Sequence, residues 1–145
     1  MFNPSVSDVR NFFFDTYDKG SAQIQLSDLE KIAFSVIMEH PEYHAVLRDR
    51  EKYLTYTWLP DAGETNPFLH MSMHMSIWEQ LSIDQPHGIK DLYSELCGQL
   101  ADEHEAQHQV LDCLAEMVWQ AQYNNMQPNP EVYLSCLRKK LGRDD

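Results

Sequence analysis

The sequence predicts an all-α protein, a single-domain helical bundle of about five or six helices spanning residues 1–145. Three observations predict it. Apolar residues recur at three- and four-residue spacings through most of the chain. Helix-start signals stand where those patterns begin: Ser27 with Glu30, Asn66 before Pro67, and Asn129 before Pro130. Only one short stretch, KYLTYTWL, alternates as a strand would, and a lone strand has nothing to pair with.

Taken in order, Ser5 or Ser7 can cap a first helix whose stripe is Val9, Phe12, Phe13 and Tyr17, with Gly20 expected to stop it. The S-x-x-E capping box at Ser27 and Glu30 opens a second helix carrying Leu29, Ile32, Ala33, Val36 and Ile37. Pro41 ends that helix, because a proline has no N–H and disfavours a helical residue before it. A short helical continuation follows over PEYHAVLRD. The aromatic stretch between Glu51 and Gly63 is expected to be extended and packed on helices, and DAGETN is expected to turn. A third helix runs from Asn66 to about Leu81, and a fourth starts at Pro86 with Ile89, Leu92, Tyr93, Leu96 and Leu100. Asp102 caps a fifth, or the fourth simply continues, with Val110, Leu111, Leu114, Val118 and Trp119 on one side. Asn129 and Pro130 start the last helix, whose basic residues lie at its C-terminal end, where the backbone dipole favours them.

Composition excludes several classes of function. The 23 acidic against 11 basic side chains give a formal net charge of −12. A nucleic-acid binder needs a basic face to track phosphates, and the one basic cluster here is short: Arg138, Lys139, Lys140 and Arg143. An anionic membrane surface is disfavoured for the same reason, and no apolar run approaches the ~20 residues that span a bilayer. The N-terminus MFNPSVSDVRN lacks the basic and apolar regions of a signal peptide. Cys97, Cys113 and Cys136 are widely spaced and form no CxxC pair, so reduced thiols in a cytoplasmic protein are expected.

The strings GETNPFLHMSMHMSIWEQLSIDQPHGI, HPEYH and DEHEAQH, with the opening FNPS, resemble a family of small bacterial proteins known only as a domain of unknown function. The resemblance covers nearly the whole chain. It implies a cytoplasmic bacterial protein and brings no catalytic residue with it.

The chemistry is suggested by the histidines. Six of the seven stand in i, i+4 pairs: His40/His44, His70/His74 and His104/His108. On a helix that spacing places two imidazoles on one face with Cβ atoms about 6 Å apart, close enough to grip one ion. Pro41 interrupts the His40/His44 spacing, so that pair is expected to be broken. The expected site is a divalent transition metal, zinc, nickel or iron, held by His70, His74, His104 and His108 on two facing helices, with Glu105 as the nearest carboxylate. Glu103 and Glu79 are further acceptors for a ring N–H. The arrangement is loosely similar to hemerythrin-like and DinB-like bundles, but its His-x-x-x-His steps depart from the Glu-x-x-His step of carboxylate-bridged di-iron proteins.

Competing readings remain. HEAQH at 104–108 matches the H-E-x-x-H motif of zinc proteases, with Glu105 as general base, but Leu111 replaces the glycine of the longer motif. Glu116 lies too far along the same helix, roughly 12 Å past His108, to share the ion. Met71, Met73 and Met75 would suit Cu(I), although core packing explains them better. The runner-up is a non-catalytic interaction module, binding another copy or a protein partner, whose histidines are structural or respond to pH.

Overall fold

A computed structural model describes residues 5–143 of the chain, so the first residues of the FNPS string and of the expected leader-free N-terminus lie outside the described residues. Among the described residues the structure is all helical and holds no strand. It has eight α-helices rather than five or six. The surplus comes from the segment after Pro41, where a 3-10 turn (Pro41–Tyr43) leads into two single-turn helices. Backbone contacts divide the chain into two compact units, Met1–Met75 and Ser76–Asp145.

The first unit starts with α1 (Val6–Ser21). Ser5 and Asp8 form a capping box, each side chain accepting from the other residue's backbone N–H at 3.1 Å. The helix buries Phe13, Phe14 and Tyr17. It continues through Gly20 instead of stopping there. Gly20 is needed for close approach, because a Cβ on it would stand about 2 Å from the Phe34 ring of α2. Helix α2 (Asp28–Met38) opens on the expected Ser27/Glu30 box and buries Ala33, Val36 and Ile37. Leu29 and Ile32, expected on that face, are exposed. Glu30 also receives the Lys19 ammonium at 2.9 Å, tying the start of α2 to the end of α1.

Helices α3 (His44–Leu47) and α4 (Arg50–Tyr53) are one turn each. The chain from Leu54 to Leu59 has no regular structure, so the irregular stretch is shorter than the expected Glu51–Gly63: α4 takes its start and a 3-10 turn takes its end. It is held by Arg10 of α1. That side chain is 6% exposed, and its Nη1 donates to the carbonyls of Tyr53, Leu54 and Tyr56 at 3.0, 3.1 and 2.7 Å. Its guanidinium lies 4.9 Å from the Trp58 ring centre and 5.3 Å from that of Phe68, within cation–π range. After a 3-10 turn (Pro60–Ala62), Asn66 caps α5 (Pro67–Ile83) by accepting from Phe68 and Leu69.

In the second unit, α6 (Ile89–Leu100) begins three residues later than Pro86 suggested. The Gln85–Pro86 bond is cis and Gly88 has φ 99°, so residues 84–88 form a turn. Asp84 organises it by accepting from Gly88 and Lys90. Ala101, at φ 54°, breaks the chain before Asp102 caps α7 (Glu103–Tyr123). Val110, Leu111 and Leu114 of α7 are buried, but Val118 and Trp119 are exposed, contrary to the expected stripe. Asn129 caps α8 (Pro130–Lys140), which packs on α7. Cys113 of α7 and Cys136 of α8 are bonded, with Cα atoms 5.5 Å apart, so only Cys97 is a free thiol. This corrects the expectation of three reduced thiols: helix packing joins cysteines whose separation in sequence carries no pairing signal.

Candidate metal centre

Three histidines of the first unit meet in its interior. His70 and His74 lie in the first turns of α5, set there by the Asn66 cap and Pro67, and their i, i+4 spacing stacks them on one face. His40 follows the C-terminal end of α2, where Pro41 stops the helix and turns the chain. The ring centres are 5.0 Å apart for His40 and His70, and 4.8 Å both for His40 and His74 and for His70 and His74. His40 and His74 are each 1% exposed, and His70 is half-buried.

Hydrogen bonds orient the rings. His40 Nδ1 lies 2.8 Å from the Val36 carbonyl. A carbonyl only accepts, so Nδ1 carries the hydrogen of this bond, which leaves Nε2 as the ring's ligand atom. A backbone carbonyl on the far nitrogen is the usual outer partner of a metal-ligating histidine. The Tyr43 ring lies parallel to His40 at 5.3 Å, and its phenol is pushed above the ordinary tyrosine range by burial and, to a lesser extent, by Glu42. His70 Nε2 and His74 Nε2 are 3.2 Å apart. Two nitrogens bound to one tetrahedral zinc at its usual bond length stand about 3.3 Å apart, so this pair already has a ligand-to-ligand spacing. Possible ligand atoms of His40, His70 and His74 all lie within 4.8 Å of one another.

The structure sorts the expected ligands. His70 and His74 come together, and His40 joins them. Sequence reasoning missed His40 because it treated the residue only as half of the His40/His44 pair. That pair is indeed broken: His44 turns away and donates from Nε2 to the Ile37 carbonyl at 2.9 Å. In the second unit, His104 and His108 stand on one face of α7 with ring centres 4.3 Å apart. Glu105 is exposed and accepts from Gln109 Nε2 at 2.7 Å, so its carboxylate is engaged on the helix surface. Met71 is fully buried, as expected for core packing.

The family model described as a domain of unknown function (DUF1841) matches residues 5–139. The chain belongs to this family. No curated protein and no solved structure matches it significantly. Membership in DUF1841 therefore supplies no reaction, and any function must be argued from the site itself. Among the described residues, no helix is long and apolar enough to cross a membrane.

Proposed function

We propose that this DUF1841 protein binds a divalent transition metal through His40, His70 and His74. The observation that carries the reading is the histidine cluster of the first unit, above all the 3.2 Å spacing of the His70 and His74 Nε2 atoms. An all-imidazole set suits zinc, nickel or iron, and zinc fits the tetrahedral spacing best. Four protein ligands close a tetrahedral site and give the ion a structural or storage role. Three leave a position for water, which the metal would activate for hydrolysis. The number of protein ligands therefore separates a binding protein from a metal-dependent hydrolase.

Protein purified without an affinity tag should carry about one metal ion per chain by elemental analysis. Adding zinc to the stripped protein at about 100 times its dissociation constant should stabilise it by about 2.7 kcal/mol. For a chain of this size that raises Tm by roughly 5–11 °C. His70→Ala should abolish both the metal and the shift. His40→Ala should abolish both as well, and metal retained in that variant would remove His40 from the site. A tag-free protein without metal, melting unchanged with zinc, nickel or ferrous iron, would overturn the proposal in favour of structural histidines. The proposal also takes residues 1–145 as one domain in a cytoplasmic bacterial protein. One calorimetric transition supports the single domain, and two separate transitions would refute it.

A further inference from the structure

The disulfide of the second unit connects two very different environments. Cys113 is 0% exposed, in the packed face of α7. Cys136 is half-buried and lines a surface cavity of about 560 Å³ with Glu116, Gln120, Ser135, Lys139 and Lys140. The S–S bond thus joins a core residue to a residue that lines a cavity. Thiol–disulfide exchange needs a thiolate to approach one sulfur directly. Here Cys136 lines space that a small molecule can enter, and Cys113 is fully buried. Lys139 and Lys140 follow Cys136 by three and four positions on α8, on its face of the helix. Lys140 is also drawn to Gln109 and Asp112 of α7. Their ammonium groups favour an approaching anionic thiol, while Glu116, which lines the same cavity, opposes it.

We propose that Cys136 is a site of reversible S-thiolation by a small acidic thiol, and that Cys113 is its buried resolving partner. In the forward step the external thiolate attacks Cys136 Sγ. A bond forms between the external sulfur and Cys136, and the Cys113–Cys136 bond breaks. The electron pair goes to the Cys113 sulfur, which takes up the proton released by the incoming thiol. No net oxidation or reduction occurs, because one disulfide replaces another. In the reverse step Cys113 attacks Cys136 Sγ and expels the small thiol. A second equivalent of external thiol, attacking the external sulfur of the adduct, leaves two protein thiols and one small-molecule disulfide. Exposed disulfides are the labile ones in general, and the cavity gives this one a selective face.

The test uses the folded full-length chain with excess reduced glutathione, quenched with N-ethylmaleimide and mapped by peptide mass spectrometry. Glutathione should appear on the Cys136 peptide, with maleimide on Cys113 and Cys97. Glutathione on Cys113, or a disulfide that opens only after denaturation, overturns the proposal. The variant Cys113→Ser frees Cys136 without relying on the first step. Its Cys136 should react with oxidised glutathione at least about tenfold faster than Cys97 in the same molecule, reflecting the neighbouring Lys139 and Lys140. Lys139→Gln with Lys140→Gln should remove most of that advantage. Equal rates at Cys136 and Cys97 in Cys113→Ser would show that the cavity confers no reactivity and would overturn the assignment.

Discussion

Replacing Arg10 with methionine tests how the candidate centre is held in place. The guanidinium donates to three backbone carbonyls of a segment without regular structure and lies against Trp58 and Phe68. Phe68 is two residues before His70, on the first turn of α5. Methionine keeps much of the aliphatic stem but none of the donors. One charged hydrogen bond contributes about 1.5–3 kcal/mol. The three bonds share one nitrogen and do not add, while each carbonyl left buried without a donor adds a penalty. Their combined loss should be about 3 kcal/mol, and the cation–π contacts contribute roughly 1 kcal/mol more. For a chain of this length, about 4 kcal/mol lowers Tm by roughly 8–16 °C. Thermal unfolding followed by circular dichroism measures the shift, and tryptophan fluorescence should report a changed setting for Trp58. Zinc affinity should fall in the same variant, because the turn leading into His70 loosens. Arg10→Lys should rescue little, since an ammonium cannot reproduce the guanidinium's planar contact with the rings. A Tm within about 1 °C of the parent would refute the reasoning and show that packing alone holds the segment.

Two further perturbations address the first unit. The Glu30 carboxylate is held below its ordinary range, first by the Ser27 backbone N–H and then by Lys19. A depressed folded-state value means that the unfolded chain takes up the proton more readily. This stabilisation is fully present above the ordinary carboxylate range and is lost as pH falls through the folded value. Glu30→Gln should therefore lower Tm at pH 7, and the gap from the parent should close on acidification; a gap that is constant with pH refutes the electrostatic account. Gly20→Val should destabilise by about 1–3 kcal/mol, because the new side chain meets the Phe34 ring. Pairing it with Phe34→Ala should recover part of that loss in a urea titration, and no recovery would mean that the glycine serves another purpose.

The chain's local signals translated directly into structure. Ser27, Asn66, Asp102 and Asn129 all cap helices as expected, because a cap depends only on a short polar side chain and the N–H groups two or three positions on. The all-helical class follows from the same kind of short-range evidence. Features that depend on distant residues were less legible. Gly20 resembles a helix terminator until Phe34 of the next helix is placed against it. Trp119 fits a helical stripe by spacing, yet it is exposed and stacks on Tyr123, because a period does not say how far along a helix the cover extends. His40 stands thirty positions before His70, and its arrival there depends on how α2 ends and where α5 begins. The Cys113–Cys136 bond likewise depends on the register of α7 against α8.

The short distance between the His70 and His74 nitrogens has a consequence for how an ion would enter. Without metal, one of those nitrogens must carry the hydrogen that lies on the line between them, since two bare lone pairs would repel. An arriving cation cannot share that line. The donor ring must first pass its hydrogen to its other nitrogen, so that loading the site changes which tautomer the ring adopts. Nuclear magnetic resonance of the imidazole nitrogens should therefore register metal uptake as a change of tautomer at one of these rings, with little movement of the surrounding backbone.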